Sequence, residues 1–181
     1  MDNNILSKIK APLIYIVLIV TLGFAIRCLF FNTQMEDGGQ QSTQTLFGAT
    51  FPNENGQQKS LNEYAGKFVV LNFWATWCEP CREEMPELSA LHDEHLKKNV
   101  VVLGVAIDDV AAINEFTKTT KVSYPLFAAD MQGMELSANL GNNKGVLPYT
   151  VIIKPDGTVF KTYFGRISKP LLEKSLLPLL K

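Results

Sequence analysis

Hydrophobic and polar positions divide the chain into an apolar block, a polar stretch and a regularly punctuated remainder. Residues 11–26 (APLIYIVLIVTLGFAI) carry no charge, and past Arg27 the apolar character continues to Phe31. These 21 residues, 11–31, predict a helix of roughly 31 Å at about 1.5 Å per residue, the thickness of a hydrocarbon core of about 30 Å. Arg27 lies near one end, where its stem can snorkel to the headgroups. Lys8 and Lys10 precede the block and Glu36 and Asp37 follow it. Positive charge on the inner side then places residues 1–10 in the cytoplasm and everything after about residue 31 outside it. No small-x-small site follows the block (AIRCLFFNTQ), so an uncleaved anchor is preferred to a cleaved signal peptide. Cys28, preceded by Ile26 and Arg27, reads as an apolar residue at the membrane edge, with palmitoylation or intermolecular pairing as alternatives. Residues 32–45 (NTQMEDGGQQSTQT) are polar with a Gly-Gly pair, and predict a flexible tether with a reach of about 20 Å.

Residues 46–181 predict one further domain. Asn55-Gly56 marks a hairpin tip, and Ser60-Leu-Asn-Glu63 a capping box over a short helix stopped by Gly66. Residues 68–73 (FVVLNF) and 100–107 (VVVLGVAI) are short apolar runs of the kind found in strands covered on both faces. Between them a helix starts near Cys78, with Met85, Leu88, Leu91 and Leu96 near helical spacing and Pro86 inside the pattern. Asp108-Asp109 open a second helix over Val110, Ile113 and Phe116, and residues 131–140 give another, ended by Gly141. Residues 149–153 and 158–164 are strands joined by the Pro155-Asp-Gly157 turn, and Ser168 caps a last helix. Strands alternating with helices imply an α/β fold with a parallel core, to which the late hairpin adds an antiparallel pair.

Composition narrows the function classes. The 181-residue chain is 46% apolar and 19% charged, which suits a real core. A net charge of −1, with no basic stripe bearing interleaved aromatics, gives no footprint for nucleic acid. Three cysteines are too few for a disulfide scaffold, and two of them form Cys78-Glu-Pro-Cys81, a spacing that points to redox chemistry or a metal.

The strand–CxxC–helix arrangement favours redox chemistry. A first cysteine at a helix start meets free N–H groups and the positive end of the dipole, which favour its thiolate. A second, one turn further, can resolve a mixed disulfide. Cys78 is therefore the candidate nucleophile and Cys81 the candidate resolver. Glu79, Glu83 and Glu84 oppose thiolate formation while the dipole and Arg82 favour it, a balance that predicts a reducing couple rather than a strong oxidant. Zinc is the competitor, through Cys78, Cys81, His92 and His95. Both spacings miss the usual ranges, and His92 lies roughly 16 Å beyond Cys81 along one helix, so no metal is expected and the histidines are read as surface residues.

The segment NFWATWCEPCREEMPEL (72–88) resembles the active-site segment of the TlpA/ResA-like, membrane-anchored, thioredoxin-like proteins, with Phe73, Trp74, Trp77, both cysteines, Pro80 and Pro86 in register. The likeness extends through GKFVVL, the Gly145-Val-Leu-Pro148 loop and the Pro155-Asp-Gly157 turn, covering about residues 47–181. It implies a thioredoxin-like fold: a central mixed sheet flanked by helices, an N-terminal β-hairpin, and a helix-strand insertion over 110–140, behind one transmembrane helix. It also implies that Pro148 is a cis-proline facing the cysteines and that Leu147 offers backbone groups to a bound partner chain. Trp77 and Pro80 would complete that substrate contact. Asn72 stands where thioredoxin has a buried aspartate and cannot titrate, so Glu84 becomes the candidate proton acceptor or donor for Cys81.

By the same resemblance, the activity is a reductase of protein disulfides on the outer side of a bacterial cytoplasmic membrane, held by the N-terminal helix. Electrons would come from a membrane-embedded thiol donor, no cofactor would be needed, and apocytochrome c is a suggested substrate. The alternatives are a disulfide oxidase or isomerase, or a haem or copper chaperone on the same fold, with Met85 the one nearby soft ligand. A peroxidase is disfavoured because peroxiredoxin-type sites lack this tryptophan-flanked CxxC.

Overall fold

A computed structural model describes residues 20–21, 38–95 and 98–180 of the chain. Contacts divide the chain at Gly38. Of the first unit, only Val20 and Thr21, both helical, and Gly38 itself are described. The anchor expected over 11–31 and the cytoplasmic segment 1–10 otherwise lie outside the described residues. Among the described residues no helix is long and apolar enough to cross a membrane.

From the boundary residue Gly38 onward the elements run α1 (Gly38–Gly48), β1 (Thr50–Pro52), β2 (Gln58–Ser60), a 3-10 turn (Leu61–Tyr64), β3 (Phe68–Trp74), α2 (Glu79–His95) and β4 (Val100–Ala106). They continue with α3 (Val110–Thr119), β5 (Leu126–Ala128), α4 (Asp130–Asn139), β6 (Tyr149–Ile153), β7 (Val159–Phe164), α5 (Lys169–Leu176) and a closing 3-10 turn (Leu177–Leu179). The main sheet has the order β5-β4-β3-β6-β7. β3 runs parallel to β4 and antiparallel to β6, so the sheet is mixed. The small β1–β2 hairpin turns at Gly56, whose φ of 78° is available to glycine at little steric cost.

The two apolar runs become the two central strands because both faces are covered. On one face Val70, Trp74, Val102, Ala106 and Ile152 pack with Met85, Leu88 and Leu91 of α2, Ile113 of α3, and Leu172 and Leu176 of α5. On the other, Val69, Leu71, Phe73, Val101, Leu103 and Val151 pack with Leu46 of α1, Leu61, Leu136 of α4 and Leu140, which follows that helix. The alternation along β3 assigns each side chain to its layer, as period-two geometry requires. The result is a three-layer α/β/α unit in which β3, β4 and β5 end, and β6 begins, at the same edge.

Four expectations are corrected. Residues 38–45, read as flexible tether, form most of α1. Polar composition misled there because Thr43 and Leu46 are buried, and Leu46 joins the sheet's second core layer. His92 and His95, read as surface residues, are buried on the inner side of α2, where they continue the Met85–Leu88–Leu91 stripe. His92 Nδ1 accepts from the Val102 amide (3.1 Å), and His95 Nε2 meets Glu173 Oε1 (2.9 Å). The capping box at Ser60 is one-sided: Ser60 Oγ accepts from the Asn62 amide over a 3-10 turn. Ser168 likewise starts α5 without a side-chain bond, and Glu87 of α2 accepts from the Lys169 amide instead (2.7 Å).

Candidate active site

At the carboxyl edge of the central strands, β3 passes into a four-residue turn and then α2. The Cys78 amide donates to the Ala75 carbonyl (3.1 Å), closing the turn, and the Cys78 carbonyl accepts from the Arg82 amide (3.2 Å). Cys78 is thus the residue flanking the helix, where the first-turn N–H groups are unpaired within the helix. Cys81 lies inside the first turn. The two sulfurs form a disulfide. Cys78 keeps 6% of its surface and Cys81 none. Cys78 is thus the less enclosed of the two residues.

Around the disulfide, Trp77 is 67% exposed and Pro80 is exposed too. The Leu147–Pro148 peptide bond is cis, and β6 begins immediately after it. Leu147, half-buried, packs against the core layer that holds both cysteines. The Pro148 carbonyl accepts from the Gly165 amide (2.9 Å). Asn142, which the sequence did not single out, is buried and brackets Val146: its Oδ1 accepts from the Val146 amide and its Nδ2 donates to the Val146 carbonyl, each at 2.9 Å.

Beneath the cysteines is a buried polar group. Glu84, three residues past Cys81 and so on the same helix side, has no exposed surface. Its Oε1 accepts from Asn72 Nδ2 (2.7 Å) and its Oε2 from the Ile167 amide (2.8 Å). Asn72 Nδ2 also donates to Thr150 Oγ1 (3.1 Å). Burial pushes the Glu84 carboxyl up to about 7, although both hydrogen bonds and the Arg166 guanidinium favour its ionised form. Tyr124 is a further residue that the sequence did not mark. Its ring packs in this layer, and its phenol is pushed up by burial and by the Glu84 charge. Glu83, by contrast, points outward and pairs with Arg166 (2.8 Å).

A Cys2His2 metal site is not assembled. Both sulfurs share one bond, and the Nδ1 of His92 is occupied by Val102 N–H. Among the described residues one group, Glu94, His95 and Glu173, has the spacing to hold a cation, and Lys169 Nζ already bridges its two carboxylates.

A family model described as AhpC/TSA matches residues 43–162. The thiol-disulfide oxidoreductase ResA of Geobacillus kaustophilus is 31% identical over 169 residues, covering 90% of both chains, and that of Bacillus subtilis is 30% identical over 161 residues, covering 88% of this chain and 86% of the relative. The chain belongs to the AhpC/TSA family, among its ResA-like thiol–disulfide oxidoreductases. Among solved structures, a secreted thiol-disulfide isomerase from Corynebacterium glutamicum superposes with a TM-score of 0.66 at 22% identity, over 75% of this chain and 84% of that one. StoA from Bacillus subtilis superposes at 0.56 and 20% identity, over 71% and 97%. These two likenesses support the thioredoxin-like fold. The family and the Cys78–Cys81 pair together make the protein a thiol–disulfide oxidoreductase.

Proposed function

We propose that this oxidoreductase reduces disulfides in proteins outside the cytoplasm, through a dithiol–disulfide cycle of Cys78 and Cys81. The observation that carries the direction is Glu84, a buried carboxyl one turn past Cys81 that titrates near neutral pH. A carboxylate there works against thiolates at the pair, and thiolate stabilisation is what makes such a pair a strong oxidant.

In the cycle, the Cys78 thiolate attacks one sulfur of a substrate disulfide. That S–S bond breaks, the leaving substrate thiolate takes up a proton, and Cys78 holds the other half as a mixed disulfide. Glu84 then accepts the Cys81 proton. The Cys81 thiolate attacks the Cys78 sulfur, the mixed S–S bond breaks, and the second substrate sulfur leaves as a thiolate that takes up a proton. Two electrons have passed to the substrate, and the enzyme is left with the Cys78–Cys81 disulfide seen here. Trp77, Pro80 and the Leu147–Pro148 segment serve as the surface that receives the partner chain. A thiol donor embedded in the membrane recharges the pair. The apolar block 11–31 is the anchor, with residues 1–10 in the cytoplasm of a bacterium. Apocytochrome c, whose haem-binding cysteines must be reduced, is the substrate class this reading favours.

The test is the reduction potential with insulin as substrate. A potential near that of thioredoxin (about −270 mV) together with catalysed insulin reduction is expected. A potential near that of DsbA (about −120 mV) would overturn the direction.

A further inference from the structure

The turn that carries Trp77 and delivers Cys78 has one more fixed point, and it comes from outside the motif. In the turn 75–78 the Cys78 amide closes back on Ala75, so the Thr76 amide, at the second position, has no partner within the turn. Asp108 supplies it: its Oδ2 accepts from the Thr76 amide at 2.6 Å, a short charge-assisted bond. Among the described residues Asp108 forms no ion pair, so this amide, and not a cation, is what its carboxylate serves.

Asp108 is itself held in place. The Ile107 amide donates to the Trp74 carbonyl (2.8 Å), carrying the β3–β4 pairing one residue past the strand ends. The Asp108 carbonyl accepts from the Asp130 amide (3.3 Å), at the start of α4, and the next residue, Asp109, caps α3 through the Ala112 amide (2.8 Å). The carboxylate therefore ties the active-site turn to the segment that carries α3, β5 and α4.

We propose that Asp108 is a positioning residue that holds the turn so that Trp77 and Cys78 meet a protein partner in one orientation. Thr76 is only half-buried, so water can satisfy its amide when Asp108 is gone. What is lost is the direction of the turn. Small disulfides, which need only the Cys78 sulfur, feel this little. A protein disulfide, which also needs Trp77 in place, feels it fully. The proposal rests on Cys78 being the cysteine that meets the partner.

The test compares two rates in Asp108→Ala and Asp108→Asn: exchange with a protein partner and exchange with dithiobis(nitrobenzoate). The partner is insulin for the reduced enzyme; for the oxidised one it is reduced, unfolded ribonuclease, with glutathione as a small thiol in place of the small disulfide, so the ratio can be read whichever way the enzyme runs. Asp108→Ala is expected to lose about tenfold with the protein partner and less than about threefold with the small disulfide, a loss typical of one hydrogen bond to a charged group. Asp108→Asn retains an acceptor and is expected to stay within about threefold on both. Thr76→Pro keeps the turn but removes the donor, and predicts the same selective loss if Asp108→Ala does not fold. An unchanged ratio in Asp108→Ala or Thr76→Pro, or an equal selective loss in Asp108→Asn, would overturn the proposal. The cysteine carrying a trapped partner is read separately. A trap on Cys81 would sink the assignment of Cys78, while the ratio still scores the clamp.

Discussion

The Glu84 carboxyl is wholly buried and accepts two hydrogen bonds, yet it takes up protons near neutral pH because desolvation outweighs both. Its folded value of about 7 lies above the ordinary 4.5, so between those pH values the folded protein keeps a proton that the unfolded chain has released. The stability this contributes is fully present below about pH 4.5 and is lost as pH rises through about 7. The difference of about 2.5 pH units corresponds to on the order of 3 kcal/mol. Urea unfolding of the oxidised protein at pH 4.5 and pH 8 is expected to show a fall of that order that is absent in Glu84→Gln. Parallel curves for the two proteins would contradict it. Asn72 was legible as a departure from thioredoxin's aspartate and Glu84 through the family likeness, but not their hydrogen bond. That bond depends on Glu84 turning inward from a helix face whose neighbours Glu83 and Arg82 point out. Nothing local marks that turn. His92 and His95 show the converse: polar identity suggested the surface, and their inward phase on α2 decided otherwise.

At the scale of elements, β3 and β4 support the site through close packing at Gly104, the partner of Asn72 across the parallel pair. A Cβ there would lie 2.6 Å from Leu126 Cδ2 and 3.1 Å from both Trp74 Nε1 and Tyr124 Cε2. The leucine methyl can move, but the two rings are locked in the core. Gly104→Ala is therefore expected to destabilise by about 1–3 kcal/mol, readable in the midpoint of chemical unfolding. Asp109→Ala, which removes the cap of α3, is expected to cost about 1 kcal/mol and to leave the reduction potential in place. A potential shifted in step with stability would mean that α3 reaches the disulfide. The central strands, α2, α3, α4 and the β6–β7 hairpin were readable because apolar runs, caps and turn residues agreed with one another. β5 has three residues, too few to show a period, and appeared only as part of the insertion that the family likeness implied. α1 was missed because two inward side chains, Thr43 and Leu46, sit in an otherwise polar stretch.

At the scale of the whole molecule, chemistry converges from distant parts of the chain. Cys78 and Cys81 come from the start of α2, the cis Leu147–Pro148 bond from the entrance to β6, Ile167 from the approach to α5, and Asp108 from the end of β4. The motif was readable because it is a local pattern, and the cis-proline because the family likeness implied it. Asp108 and Asn142 were not, because their work is to hold backbone that is remote in sequence or curled into a loop. The proposed cycle turns on one asymmetry: Cys78 keeps a little exposed surface and Cys81 keeps none. The most direct test is to mix reduced Cys81→Ser protein with insulin and map the covalent adduct by mass spectrometry of the digested complex. A mixed disulfide on Cys78, absent from the matching Cys78→Ser protein, is predicted; an adduct that forms on Cys81 in Cys78→Ser and not on Cys78 in Cys81→Ser would contradict it.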